Sequence, residues 1–217
     1  MLDSIQRAGM TTRPMLERAL GIDPNNILQR LLGRKQITSV AGLPDNRSYY
    51  VAAPDRPLGS KALQQRLALA WFIYMDRTRP RIALTPTEVR LLLGDDAPVV
   101  PHVLEGGERP RVVSIYAPDT NEVTNALAKQ VAQAQRNPLL AASIANGTYA
   151  WALLLPWTSN LLAPFTAKGA PGTSEERRID RLLGTDPRLR GAPILAHQVA
   201  SPETLTLALK ASTGGTG

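Results

Sequence analysis

The spacing of the apolar residues changes once near the N-terminus, after Gln36, and this change limits the folds open to the chain. Before it, three short segments carry apolar residues at helical spacing, and the first two end at Gly9 and Gly21. After it, residues 37–40 and 48–51 have strand composition and are joined by a turn at residues 42–46. Three helices followed by a hairpin predict a winged helix-turn-helix.

The third helix has the clearest start signal. Asp23 is suited to cap it, and Pro24 is suited to its first position. One face of this helix is apolar and consists of Ile27, Leu28, Leu31 and Leu32. The opposite face is polar and presents Asn25, Asn26, Gln29 and Arg30.

The polar face of this helix has the residue types that read DNA bases. In a helix-turn-helix the second helix of the pair enters the major groove, where amides pair with adenine and guanidinium groups with guanine. We therefore expect base contacts from Asn25, Asn26, Gln29 and Arg30. Contacts to the DNA backbone are expected from Arg13, Arg34, Lys35 and the wing residue Arg47. A wing that docks another protein remains an alternative, because solvated helix faces often carry the same residues.

The positive charge of the chain is concentrated in its first third. Residues 1–66 contain ten Lys or Arg and five Asp or Glu, whereas the whole chain of 217 residues has a net charge of +7. A basic N-terminal part followed by a nearly neutral body favours a phosphate-backbone partner.

The rest of the chain alternates helical and strand patterns, so the predicted fold class is α+β. Strands are expected at residues 99–104, 111–116, 149–155 and 194–199, and helices at 60–75, 85–93, 121–136, 161–167 and 174–183. The predicted organisation is a winged helix at residues 1–57, linking helices at 58–96, an α/β domain at 97–211 and a flexible tail at 212–217.

Composition excludes several kinds of site. The chain has no cysteine, which excludes a disulfide scaffold, thiolate metal sites and a cysteine nucleophile. It has only two histidines, which excludes sites that need several imidazoles. Phosphate-binding and dinucleotide-binding glycine motifs are absent from the sequence, so no cofactor is expected. No apolar segment reaches the roughly 20 residues of a membrane span, and the N-terminus has no secretory pattern, so a cytoplasmic location without membrane contact is expected.

The order of these segments resembles the replication-relaxation family of plasmids and other mobile elements. The resemblance implies a winged helix followed by a domain similar to restriction-endonuclease-like nucleases. The family's first acidic strand resembles Pro101-His102-Val103, its second resembles residues 113–116, and its next helix, which carries a lysine, resembles residues 124–136 with Lys129. Residues 149–155 resemble its central strand.

This sequence departs from the family at the positions that nuclease chemistry requires. Two carboxylates on neighbouring strands would hold Mg²⁺, and a lysine would polarise the attacking water. His102 stands at the first acidic position, and Ser114 or Tyr116 at the second. We therefore expect a nuclease-like scaffold that is not an enzyme and has no metal or catalytic residues.

The sequence therefore predicts a non-enzymatic protein of a mobile element that binds double-stranded DNA. It would act as a transcriptional regulator or as an accessory factor in plasmid replication or conjugative transfer, as a homodimer and in contact with a replication or transfer protein. One alternative is a divergent magnesium-dependent nuclease that uses Asp119 with Glu105, Glu108 or Glu122. Of these acids, Asp119, Glu105 and Glu108 are expected in turns. The other alternative is the protein-docking adaptor.

Overall fold

A computed structural model of the chain describes residues 1–44, 46–54, 57–75, 79–117, 123–156, 187–189 and 191–213. These residues form a mixed α+β structure, which confirms the predicted class. The helices are α1 (Leu2–Ala8), α2 (Arg13–Leu20), α3 (Asn25–Gly33), α4 (Ser60–Tyr74), α5 (Pro86–Leu93), α6 (Val123–Arg136), α7 (Pro138–Ala145) and α8 (Leu205–Thr213). The strands are β1 (Ile37–Leu43), β2 (Arg47–Ala52), β3 (Arg81–Ala83), β4 (His102–Glu105), β5 (Arg111–Tyr116), β6 (Tyr149–Pro156) and β7 (Ile194–Val199).

The chain divides into two compact units. Within the described ranges, the first contains residues 1–75, 156 and 198–213, and the second contains residues 79–155 and 187–197.

The first unit begins with the three predicted helices and the predicted hairpin. Both α1 and α2 end at a glycine with positive φ, 76° at Gly9 and 70° at Gly21, which is a conformation that other residues adopt at a cost. Strands β1 and β2 pair antiparallel. The segment between α1 and α2 also pairs with the hairpin, because the N–H of Thr11 donates to Tyr50 and the N–H of Tyr50 donates to Thr11.

Helix α4 belongs to this first unit, where it contacts α1 and α2. Hydrogen bonds attach it and its C-terminal end to the N-terminal segment, among them the bond between the Ser4 and Tyr74 hydroxyls. The Tyr74 hydroxyl donates to the carbonyl of Ser4 at 3.0 Å, and Arg66 donates to the carbonyl of Gly9 at 3.1 Å. Arg18 of α2 donates to the carbonyl of Met75 at 3.3 Å. The buried apolar residues of the unit include Ile5, Met10, Met15, Leu16, Leu28, Tyr49, Val51 and Leu67.

The second unit is built on a five-stranded sheet in the order β3-β4-β5-β6-β7. Strand β4 pairs antiparallel with both β3 and β5, whereas β5 and β6 are parallel. A parallel pair needs a crossover, and α6 and α7 lie between these two strands in the chain. A buried apolar cluster joins the sheet to α5, α6 and α7, with Val89, Leu93, Leu127, Val131, Leu140, Tyr149 and Trp151 among its members.

Several predicted elements are confirmed with shifted ends. The strand predicted at 99–104 is wrong at its start, because β4 runs from His102 to Glu105. The preceding segment contains Pro98 and Pro101, which cannot donate to a ladder, and Val99 is fully exposed. The predicted helices at 161–167 and 174–183 lie outside the described residues.

Three elements were not predicted: β3, α7 and α8. Strand β3 has only three residues, too few for a pattern. Helix α7 did carry a signal, because Asn137 caps it through the N–H groups of Leu139 and Leu140, and Pro138 occupies its first position.

Candidate nucleic-acid interface

Helix α3 presents the expected polar residues on its exposed side. Asn26, Gln29 and Arg30 are exposed, whereas Leu28 is buried. This separation follows from the helical repeat, which brings every third or fourth residue to the same face. Three of the four predicted base-contacting side chains are therefore available on one surface.

The fourth, Asn25, is held by Asp23. One carboxylate oxygen of Asp23 accepts the backbone N–H of Asn25 at 3.0 Å, and the other accepts its side-chain amide at 3.1 Å. Arg13 lies 3.4 Å from the same carboxylate. Asp23 therefore forms an Asx-type turn before α3, but the N-cap residue is Pro24 and not Asp23 as predicted, so the helix begins at Asn25, one residue later than predicted. Two predicted DNA-contacting residues, Arg13 and Asn25, are thus engaged by one carboxylate.

Two basic side chains stand at the end of α3. Arg34 and Lys35 are both exposed. Lys35 has φ of 54°, in the left-handed region, and its N–H donates to the carbonyl of Leu32. This conformation costs a residue with a Cβ atom about 1–2 kcal/mol relative to a right-handed one. A lysine therefore occupies a helix-terminal position for which backbone energetics favour glycine.

The hairpin contributes Arg47, the first residue of β2, which pairs with Leu43 across the strands. Its side chain is half-buried. Within the described part of the chain, six of the eight predicted contact residues have no side-chain hydrogen bond or ion pair: Asn26, Gln29, Arg30, Arg34, Lys35 and Arg47. We call these six residues the α3–hairpin set.

In the second unit, the two positions that resemble the family's acidic pair are neighbours. His102 of β4 and Ser114 of β5 are Cα partners across the antiparallel ladder. Both are buried, and the Ser114 hydroxyl is 2.5 Å from the hydroxyl of Tyr149. Burial lowers the pKa of His102 to about 4, against a smaller opposing effect of its hydrogen bond to the Val100 backbone. This row of the sheet is therefore uncharged near neutral pH.

The structure places Glu105 differently from the sequence-based interpretation. It was expected in a turn, yet it ends β4 with 1% of its surface exposed. Its carboxylate accepts hydrogen bonds from three guanidinium groups: Arg79 at 2.9 Å, Arg81 at 2.9 Å and Arg111 at 2.8 Å. Burial alone raises the pKa of the Glu105 carboxyl, but the three arginines outweigh it and lower that pKa to about 2.

This arrangement does not fit Glu105 as a metal ligand, because both of its oxygens already accept from cations. Glu108 is exposed after β4, and Asp119 and Glu122 lie outside the described residues. Where the structure describes the chain, no three His, Cys, Asp or Glu residues lie together as a metal site. Sequence reasoning missed the Glu105 cluster, because Arg79 and Arg81 lie more than twenty residues before their partner and no local pattern connects them.

Comparison with known proteins gave no match: no family model, no curated protein and no solved structure is similar to this chain at a significant level. Of the helices that the structure describes, none has the length and apolar character to span a membrane.

Proposed function

We propose that the chain binds double-stranded DNA through the α3–hairpin set. The observation that carries this proposal is the grouping of six polar or basic side chains, none paired within the described residues, on one helix, its C-terminal end and the adjoining hairpin. Arg30, Arg34, Lys35 and Arg47 supply four positive charges for phosphates or guanine, and Asn26 and Gln29 supply amides for adenine.

The element order supports a winged helix-turn-helix in the first unit. Helices α2 and α3 would form the reading pair, and β1 and β2 would form the wing. The pairing of Thr11 with Tyr50 supports this interpretation, because it ties the segment before α2 to β2, the second strand of the proposed wing. Such a module enters the major groove with the N-terminal part of its second helix.

We further propose that the second unit is a restriction-endonuclease-like scaffold without nuclease chemistry, in a cytoplasmic protein similar to the replication-relaxation family. Two antiparallel strands followed by helices and a parallel strand support the scaffold. The buried His102–Ser114 pair, with no carboxylate at either position, supports the loss of chemistry. The biological role would be transcriptional regulation or assistance in plasmid replication or transfer, with this unit joining two copies or a partner protein.

The proposal is tested by fluorescence anisotropy of the full chain with labelled duplexes at two salt concentrations in the presence of Mg²⁺. Binding that weakens steeply with salt, with the DNA left intact, is the expected result. Absence of binding at low salt would favour the protein-docking adaptor. Shortened DNA would favour the magnesium-dependent nuclease.

Substitutions in the α3–hairpin set are expected to separate base reading from backbone contact. Asn26→Ala or Arg30→Ala should cost about 1–3 kcal/mol on the preferred duplex and much less on random DNA, because a bidentate base contact is lost. Arg47→Ala should weaken binding to both duplexes similarly and lower the slope of log K against log salt by about 1.

Lys61→Ala is the matched control, since it removes one exposed positive charge from the first residues of α4, outside the set. Affinity close to that of the wild type is expected for it. If Arg30→Ala and Asn26→Ala behave like Lys61→Ala, helix α3 is not the reading helix.

Lys35→Gly is expected to change stability and DNA affinity in opposite directions. Glycine relieves the left-handed conformation of residue 35, so the free energy of unfolding should rise by about 0.5 kcal/mol once the greater freedom of unfolded glycine is subtracted. The lost charge should weaken DNA binding at every sequence. Urea denaturation and the salt-dependent titration measure the two effects.

Lys35→Asn serves as the control, because asparagine tolerates the left-handed region and also removes the charge. It should match Lys35→Gly in DNA affinity. Full wild-type affinity in both variants would remove residue 35 from the interface.

A further inference from the structure

Two Arg-Pro-Arg triplets lie at one end of the sheet of the second unit, at residues 79–81 and 109–111. The first leads into β3 and the second into β5, on either side of β4. Glu105, the last residue of β4, is the Cα partner of both Arg81 and Arg111. The strand register therefore brings the two triplets to the two sides of one carboxylate.

The turn after β4 fixes the position of the first triplet. The N–H of Gly106 donates to the carbonyl of Pro80 at 2.8 Å. A Cβ atom at Gly106 would lie 2.9 Å from the Pro80 side chain, so this close approach requires glycine. The backbone that carries Arg79 and Arg81 is therefore held against the beginning of the turn that carries Arg109.

Positive charge exceeds negative charge around this turn. The two triplets contribute four guanidinium groups, whereas β4 and the turn contribute two carboxylates, Glu105 and Glu108. Glu105 is buried and accepts from three of the arginines. Glu108 is exposed and bonds to none of the described residues. Two positive charges therefore exceed what these carboxylates compensate.

Two of the arginines, Arg79 and Arg111, are placed to bind the same anion. Both donate to one oxygen of Glu105, Oε1, at 2.9 Å and 2.8 Å, so their guanidinium groups lie side by side. Their side chains are 53% and 20% exposed, so both reach the surface. Among the described residues, Arg79 bonds to Glu105 through Nη1 alone, which leaves the N–H groups of Nε and Nη2 for another acceptor.

A phosphate group fits this arrangement. It carries about two negative charges near neutral pH, which matches the excess of positive charge. Its oxygens accept the parallel N–H groups of a guanidinium fork, which is the geometry for which arginine is favoured over lysine. Because Glu105 already holds the two arginines in place, less side-chain freedom is lost when an anion binds them.

We propose that the exposed sides of Arg79 and Arg111, together with Arg109 of the adjoining turn, bind a phosphate group. The site belongs to the second unit and shares no residue with the α3–hairpin set. The phosphate belongs either to a small phosphorylated molecule or to the backbone of a nucleic acid, and the two arms of the test separate these sources. The first arm contains no DNA, so its outcome does not depend on the proposed function.

The first arm titrates the isotope-labelled full chain with inorganic phosphate at pH 7 and constant ionic strength, with sodium chloride as the reference salt. The readouts are the side-chain Nε–H resonances of Arg79 and Arg111 and the backbone amide resonances of Gly106 and Gly107. Saturable shifts of these resonances are expected with phosphate and not with chloride. Shifts that do not saturate, or that both salts cause equally, would overturn the proposal.

Two substitutions test the assigned side chains. Arg79→Gln removes one donor group while Glu105 keeps Arg81 and Arg111, so the affinity for phosphate should fall about tenfold, the value of one charge-assisted hydrogen bond. Arg109→Gln breaks no side-chain bond among the described residues and should weaken phosphate binding about two- to fivefold.

Arg136→Gln is the matched control, because it removes an exposed arginine of the same unit from the end of α6, outside the two triplets. It should leave the affinity for phosphate unchanged. Wild-type affinity in both Arg79→Gln and Arg109→Gln would contradict the assigned site. The wild-type titration decides the question even if Arg79→Gln does not fold.

The second arm repeats the anisotropy titration of duplex DNA with Arg79→Gln. If the phosphate belongs to a nucleic-acid backbone, affinity should fall for every duplex, and the slope of log K against log salt should become shallower by about 1. If it belongs to a small molecule, duplex binding should stay unchanged while binding of inorganic phosphate weakens. If the chain binds no DNA, the proposed function fails, and the first arm still decides whether the phosphate site exists.

Discussion

Replacing Glu105 with glutamine is expected to lower the free energy of unfolding of the second unit by about 3–5 kcal/mol, the usual cost of removing one partner from a buried ion pair. Glutamine keeps the size of the side chain and removes the charge. The side chain of Arg81 is only 3% exposed and would lose the carboxylate that compensates its charge. Arg111, with 20% of its side chain exposed, would lose the same partner. Chemical denaturation of the full chain, followed by tryptophan fluorescence, to which Trp151 in β6 contributes, measures the effect.

Glu108→Gln is the control, because it makes the same chemical change three residues later at an exposed position. Exposed substitutions of this kind usually change stability by no more than about 0.5 kcal/mol. A loss below 1 kcal/mol for Glu105→Gln would contradict the view that the three arginines depend on this carboxylate. Glu105→Ala should be at least as harmful, since it also leaves a cavity.

Acidification from pH 7 to pH 5 is expected to destabilise the wild-type protein through His102 by about 2 kcal/mol, from the displacement of one histidine pKa. Burial lowers the pKa of His102 in the folded state from its ordinary value of 6.5 to about 4. Between these values the unfolded chain binds a proton that the folded chain does not, so stability falls as the pH falls through this window. Glu105 contributes little here, because its lowered pKa of about 2 and the ordinary glutamate value of 4.5 both lie below pH 5.

His102→Phe removes this titration, so its free energy of unfolding should fall less than that of the wild type over the same range, by the same 2 kcal/mol or so. Urea denaturation curves at pH 5, 6 and 7 for both proteins give the comparison. Parallel pH dependences would show that His102 titrates normally in the folded protein. His102→Leu, a second apolar replacement, should repeat the result if phenylalanine is too large for the site.

The sequence predicted the first three helices and the hairpin well because the signals there are local. Pro14 and Pro24 mark helix starts, Gly9 and Gly21 mark helix ends, and the change of period after Gln36 marks the hairpin. Each signal acts within one turn of helix or one strand, so it needs no distant partner. The extra pairing of Thr11 with Tyr50 had no such signal, because it joins segments 39 residues apart.

The candidate interface was only partly predictable. Helical periodicity placed Asn26, Gln29 and Arg30 on one exposed face, and the structure agrees. Periodicity does not show which partners a side chain bonds to. Asp23 bonds to both Asn25 and Arg13, and these bonds depend on how the turn before α3 is folded. Likewise, the positive φ of Lys35 arises from the way in which the end of α3 turns toward β1.

The second unit shows most clearly which features the sequence determined and which the tertiary structure decided. Apolar runs and their spacing determined that a strand lies at β6 and a helix at α6, because burial on both faces leaves a continuous apolar run and burial on one face leaves a period. The pairing of His102 with Ser114 and the gathering of three arginines around Glu105 were decided by strand register and by the turn after β4. Strand register brings together residues that are distant in the sequence, and it also decides whether a polar side chain is buried. Glu105 is therefore a buried ion-pair partner, although its sequence neighbours suggested an exposed turn.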